Sequence, residues 1–122
     1  MLRGLLDTMK ILTINDENFS DVVKDVDLPL VMKFYSPTCH LCTGIKPVYE
    51  KVAKMYSDDY VFCEVNTTKS RKLTKFFKID GVPQIFVVTN DKRTEIPYPE
   101  KPDPETGYSV YDIADFLDAY QK

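Results

Sequence analysis

The chain has 122 residues, 43% of them apolar, with 16 Lys+Arg against 19 Asp+Glu for a formal charge of −3. That is enough for one domain with one core; it is too apolar for disorder, and the mildly acidic balance gives little support to a generic nucleic-acid binder. Three cysteines are few and odd in number, unlike a secreted disulfide scaffold, and tryptophan is absent.

Asp7 interrupts the short apolar run at the N-terminus, so no signal peptide is expected. No stretch approaches the roughly 18 apolar residues of a membrane span. Residues 1–9 read as an N-terminal extension to a domain at 10–122. A reducing, cytoplasmic setting is expected, where a close cysteine pair points to catalysis or metal binding.

Lys10 to Ile14 reads as a strand, and Asn15 and Asp16 as turn and N-cap candidates for a helix over 16–25. Leu28 to Tyr35 is apolar apart from Lys33 and suits a strand buried on both faces. A helix over 39–57 carries Ile45, Val48, Val52 and Tyr56 on one stripe, with Pro47 expected to kink it. Tyr60 to Val65 is a second core strand. Thr67 to Lys78 reads as a helix with Leu73, Phe76 and Phe77 inward and Lys69, Arg71, Lys72, Lys75 and Lys78 outward. That basic face is a solvated surface with some bias towards an acidic protein partner. Gln84 to Thr89 is a strand, and Asn90-Asp91 turns it into a hairpin partner near 93–97. Residues 97–107 hold Pro97, Pro99, Pro102 and Pro104 and form an extended acidic loop. Ser109, with Asp112 three residues on, caps a last helix. The order β-α-β-α-β-α-β-β-α is an α/β chain with a parallel half and an antiparallel half.

Cys39-His40-Leu41-Cys42 carries the strongest chemical signal. It follows a buried strand and opens a helix. Cysteines at i and i+3 on one turn lie about 5–6 Å apart, within reach of a disulfide. The free N–H groups and partial positive charge of the helix start stabilise a thiolate at Cys39, the more exposed of the two. Cys42, one turn in, suits a resolving thiol. A closed zinc site would need four ligands, and the chain offers this pair, Cys63 and a single histidine, His40, inside the pair. No metal is therefore expected, and with no cofactor motif in the sequence no cofactor is expected either. Cys63, between Val61 and Val65 in the strand alternation, reads as an inert core thiol. Gly81-Val82-Pro83, ahead of an apolar strand, is a candidate cis peptide or a plain trans turn.

Phe34-Tyr35-Ser36-Pro37-Thr38-Cys39-His40-Leu41-Cys42 resembles the active-site region of the thioredoxin family. Pro47 falls where that family carries its helix-kinking proline, and Gly81-Val82-Pro83 resembles its cis-proline loop. The resemblance covers about residues 10–92, and the last helix fits. It implies a thioredoxin fold, a central mixed sheet with helices on both faces, and thiol–disulfide exchange. It further implies that the Val82 backbone pairs with an extended substrate segment beside Cys39.

Four departures stand out. The residues between the cysteines are His40 and Leu41, where thioredoxins usually have Gly-Pro and protein disulfide isomerases Gly-His. Thr38 stands where the family usually has tryptophan, which removes a flat apolar contact. Lys33 occupies the position of the family's buried acid, and Glu64 that of the matching lysine. This reads as a charge-swapped pair with Glu64 as proton acceptor and Lys33 holding it; alternatively both side chains reach solvent as a structural pair. The loop at 97–107 is longer than the family's turn.

The expected function is reduction of protein disulfides, with Cys39, Cys42, Lys33 and Glu64 catalytic and Thr38, His40, Leu41, Val82 and Pro83 binding substrate. Alternatives are a disulfide oxidase or isomerase, or a non-catalytic docking subunit on this fold. Expected partners are disulfide-containing proteins and a thioredoxin-reductase-like electron donor, with no nucleic acid or membrane, and the chain is expected to be a monomer.

Overall fold

The computed structural model describes residues 11–121, so the extension assigned to residues 1–9 lies outside the described residues. Five strands form one sheet: β1 (Leu12–Ile14), β2 (Leu30–Tyr35), β3 (Val61–Asn66), β4 (Gln84–Val88) and β5 (Arg93–Glu95). Four helices connect or follow them: α1 (Phe19–Asp25), α2 (His40–Met55), α3 (Arg71–Phe76) and α4 (Val110–Tyr120). The strand order is β1-β3-β2-β4-β5. β1 and β2 run parallel to β3, whereas β4 is antiparallel to both β2 and β5. The expected element order and the two sheet halves are both present.

Alternation along the central strands explains the layers. In β2, Leu30, Met32 and Phe34 face one way, where Cys63, Val65, Phe86 and Val88 join them beneath α1 and α3. Val31 faces the other way, into a core shared with Phe62, Ile85, Val87 and the apolar faces of α2 and α4. Every residue from Leu30 to Phe34 is buried, as a central strand with helices on both faces requires.

The helix boundaries show where local pattern stops being decisive. Ser109 accepts from the Asp112 N–H and Asp112 accepts from the Ser109 N–H, a complete capping box at the start of α4. α2 continues through Pro47 as one element, with Cys42, Ile45, Tyr49, Val52 and Ala53 buried. Val48 and Tyr56 of the expected stripe sit only half-buried at its margin.

The helix expected over 67–78 is confined to Arg71–Phe76. Asn66 holds residues 67–70 in a turn, accepting from the Thr68 N–H through its side chain and from the Ser70 N–H through its carbonyl. Lys78 then adopts a left-handed conformation, φ 56°, which ends the helical run. Phe76 is not inward but 58% exposed, with the Arg93 guanidinium 4.4 Å from its ring centre. Asp16 does not cap the helix beside it, which begins only at Phe19. Its two carboxylate oxygens accept from the Lys72 and Leu73 N–H groups, 3.1 and 2.9 Å away, so it caps α3 from 56 residues upstream. A cap of this kind contributes about 1 kcal/mol.

Candidate functional site

β2 runs out at Tyr35, and α2 begins five residues later at His40. Between them a tight turn brings the Cys39 N–H to the Ser36 carbonyl at 3.2 Å. Cys39 is the N-cap of α2, with extended φ/ψ, and its Sγ accepts from the Cys42 N–H at 3.1 Å. A sulfur thus does what a serine or aspartate oxygen usually does at a helix start, so developing charge on it meets both a donor and the positive end of the helix. On its other side, the Cys39 S–H points at the Val82 carbonyl, 3.6 Å away.

The Val82–Pro83 peptide bond is cis, resolving the alternative left open by the sequence. Cys39 is partly exposed, and Thr38 and His40 beside it are exposed. Leu41 is half-buried, and Cys42 is 2% exposed. Burial, with the hydrogen bond to Cys39 adding to it, pushes the Cys42 thiol up to about 12. Cys63 is fully buried on the opposite face of the sheet, and burial pushes its thiol up to about 12 as well. It stands apart from the pair.

Beneath the pair lies Lys33, 1% exposed on the α2 side of the sheet. It pairs in register with Glu64 on β3, and its Nζ lies 3.8 Å from a Glu64 carboxylate oxygen. The two partners differ in environment, since the Glu64 side chain keeps 30% of its exposure. The charge-swapped pair therefore forms, but only its acid reaches solvent. The ammonium also lies 4.7 Å from the centre of the Tyr49 ring and 5.7 Å from that of Tyr35, within cation–π range. Burial lowers the Lys33 pKa from 10.5, while Glu64 and Cys42 raise it. Reciprocally, the Lys33 charge pulls the Cys42 thiol down against its burial.

Sequence reasoning missed Tyr49. Its hydroxyl lies 2.7 Å from the Cys63 carbonyl and 2.9 Å from that of Val31, fixing α2 to the two central strands. The signal was available, because Cys42, Ile45, Tyr49 and Val52 recur at i, i+3, i+7 and i+10.

The proline-rich loop is joined to this site. A Cβ built on Gly44 would overlap the Glu105 carbonyl oxygen, so only glycine lets the loop lie against the first turns of α2. Gly107 has φ +76°, and the Tyr98 ring packs against it.

The family model for thioredoxin matches residues 10–104. The chain is 30% identical over 82 residues to an M-type chloroplastic thioredoxin of Chlamydomonas reinhardtii, an overlap of 67% of this chain and 59% of that one. It is 39% identical over 79 residues to protein disulfide-isomerase A4 of Rattus norvegicus, covering 62% of this chain and 12% of that one. The chain thus spans less than two thirds of either relative. A thioredoxin f2, solved in complex with ferredoxin:thioredoxin reductase, superposes with a TM-score of 0.78 at 21% identity, covering 95% of this chain and 99% of that one. Sheet order, the paired cysteines at a helix start, the proline loop against them and the match over most of the chain agree: the chain belongs to the thioredoxin family.

Proposed function

We propose that the protein reduces protein disulfides by dithiol–disulfide exchange. The observation that carries this reading is the Cys39 sulfur, partly exposed at the start of α2 and held by the Cys42 N–H. In the first step the Cys39 thiolate attacks one sulfur of the substrate disulfide. A mixed disulfide forms and the substrate's other sulfur leaves as a thiolate. In the second, Cys42 loses its proton and attacks Cys39. The Cys39–Cys42 disulfide forms and the second substrate thiol is released, two electrons having passed to the substrate. Thr38, His40 and Leu41 border the nucleophile, and Val82 and Pro83 form the opposite wall, where an extended substrate segment pairs with the backbone.

Lys33 acts on the second step. Its charge favours the Cys42 thiolate, and Glu64, at the solvent side, holds that charge and exchanges protons with water. The electron donor is a reductase or another dithiol. The structural neighbour bound to ferredoxin:thioredoxin reductase supports a partner of that class. Both reactive cysteines come from one chain, as a monomer requires, and a pair kept reduced by such a donor fits the cytoplasm.

The likeness to protein disulfide-isomerase A4, together with the buried cation, favours a second reading, a disulfide oxidase or isomerase. A non-catalytic docking subunit is the third. Mixing the purified chain with a disulfide-bridged protein and dithiothreitol tests exchange itself. Reduction about tenfold or more faster than with dithiothreitol alone is expected, because the site holds its attacking sulfur oriented. A rate equal to dithiothreitol alone would leave only the docking role.

A further inference from the structure

Beyond the cysteine pair, the proline wall continues into a groove of about 240 Å³. Val82, Pro83, Tyr98 and Tyr108 line it, with the exposed Asp80 and Glu95 at its rim. Val82 is also the residue whose carbonyl faces Cys39, so groove and nucleophile share a wall. A substrate strand lying along Val82 to present its sulfur to Cys39 would carry neighbouring side chains into this groove.

The groove is built rather than incidental. Tyr98 is 45% exposed, yet its ring rests on Gly107 and meets the Tyr108 ring edge-on, with centroids 5.3 Å apart. Tyr108 is itself buried, and its hydroxyl donates to the Ile96 carbonyl at 3.3 Å. Glu95 is fixed by the buried Gln84, whose Nε2 donates to one carboxylate oxygen at 3.0 Å. Among the described residues the other oxygen makes no hydrogen bond. The Gln84 amide oxygen in turn accepts from the Asp80 N–H at 3.3 Å, linking the two acidic rim residues through one side chain. No Lys or Arg is among the residues that line the groove.

Two carboxylates and an exposed aromatic face suit one class of side chain, a cation with a long apolar stem. An arginine guanidinium can bind a carboxylate and stack on a tyrosine ring at once. We infer that this groove is a specificity subsite that takes a basic side chain, arginine above all, next to the cysteine of the substrate. The inference rests on the exchange reaction proposed above and names its preferred substrates. The proline-rich loop then has a role, since it supplies Tyr98 and is locked to the active-site helix at Gly44.

The test uses three peptide disulfides that differ only in the residues flanking the cysteine: arginine, leucine or glutamate on both sides. Initial rates of reduction by the full chain, with dithiothreitol as electron source, give kcat/KM for each. The arginine peptide should be reduced about tenfold faster than the glutamate peptide, with leucine between, as one partly exposed ion pair plus a cation–π contact allows. The preference should shrink in about 0.5 M salt, where exposed charges are screened. In Glu95→Gln, and separately in Tyr98→Ala, the arginine-to-glutamate ratio should fall to about threefold or less. Equal rates for the three peptides, a leucine peptide reduced fastest, or a ratio unchanged in both variants would overturn the subsite while leaving exchange intact. Failure to reduce any of the three would overturn the exchange reading and the subsite with it.

Discussion

Replacing Cys42 with serine is expected to lower multiple-turnover reduction by about 10³-fold or more while preserving the first attack. The reason is the shared helix turn. A thiol held beside its target has an effective molarity of about 10⁵ M or higher, against about 10⁻³ M for an added thiol. Burial of Cys42, with a thiol pushed up to about 12, cancels part of that advantage at neutral pH, but several powers of ten remain. With only serine at 42, the mixed disulfide on Cys39 should accumulate to one equivalent and be visible by mass. Cys39→Ser should behave differently, losing turnover and forming no adduct. If Cys39→Ser still forms the mixed disulfide, the roles of the two cysteines are wrong.

The second large effect concerns Lys33. Lys33→Met removes a buried charge and keeps the volume, so it should stabilise the fold by about 1 kcal/mol or more. Glu64, left without its partner, keeps water on one side and adds little cost. Burial lowers the Lys33 pKa in the folded chain, so between that value and 10.5 the unfolded chain holds more protons and native stability rises with pH. The advantage of Lys33→Met should therefore be greatest at low pH and shrink as pH rises towards 10.5. Activity should move the other way. Without the cation the Cys42 thiol rises further, and each unit of that rise removes about tenfold of the thiolate at neutral pH. Single-turnover resolution of the mixed disulfide should slow by about tenfold at pH 7, and the deficit should persist across the neutral range. A stabler variant with unchanged resolution would make Lys33 a purely structural residue. Glu64→Gln separates the remaining roles, because an unchanged reduction rate there would remove Glu64 from proton transfer.

Much of this was legible in the chain because it depends on near neighbours. The apolar run of β2 and the Ser109–Asp112 box are local, and so is the cysteine pair at the start of α2. What failed was non-local. Asp16 looks like a cap for the segment that follows it, yet it serves α3, which chain folding brings beside it. The 67–78 periodicity suggested a long helix, but Asn66 holds its first turn in another shape, and Arg93 lets Phe76 remain at the surface. At the site, the sequence pointed to Lys33 and Glu64 as a pair without distinguishing their environments, which depend on how α2 covers one and leaves the other at the edge. The proline-rich loop read only as an extended acidic loop longer than the family's turn. Its contact with Gly44 and its Tyr98 wall join segments about 60 residues apart or brought together only by the sheet, and no short-range pattern encodes them.

The direction of electron flow is the centre of the account, and one equilibrium measures it. The chain is incubated in a glutathione buffer poised at about −240 mV, near the cytosolic range, and the Cys39–Cys42 pair is read by thiol alkylation and mass. Because Cys42 is buried with its thiol pushed up to about 12, a second thiolate does not stabilise the reduced pair at neutral pH. The pair should therefore be mostly disulfide in this buffer, by about tenfold if its potential lies about 30 mV lower. Such a dithiol donates electrons to protein disulfides. A pair found mostly as dithiol in the same buffer would contradict the account and make the protein an oxidant.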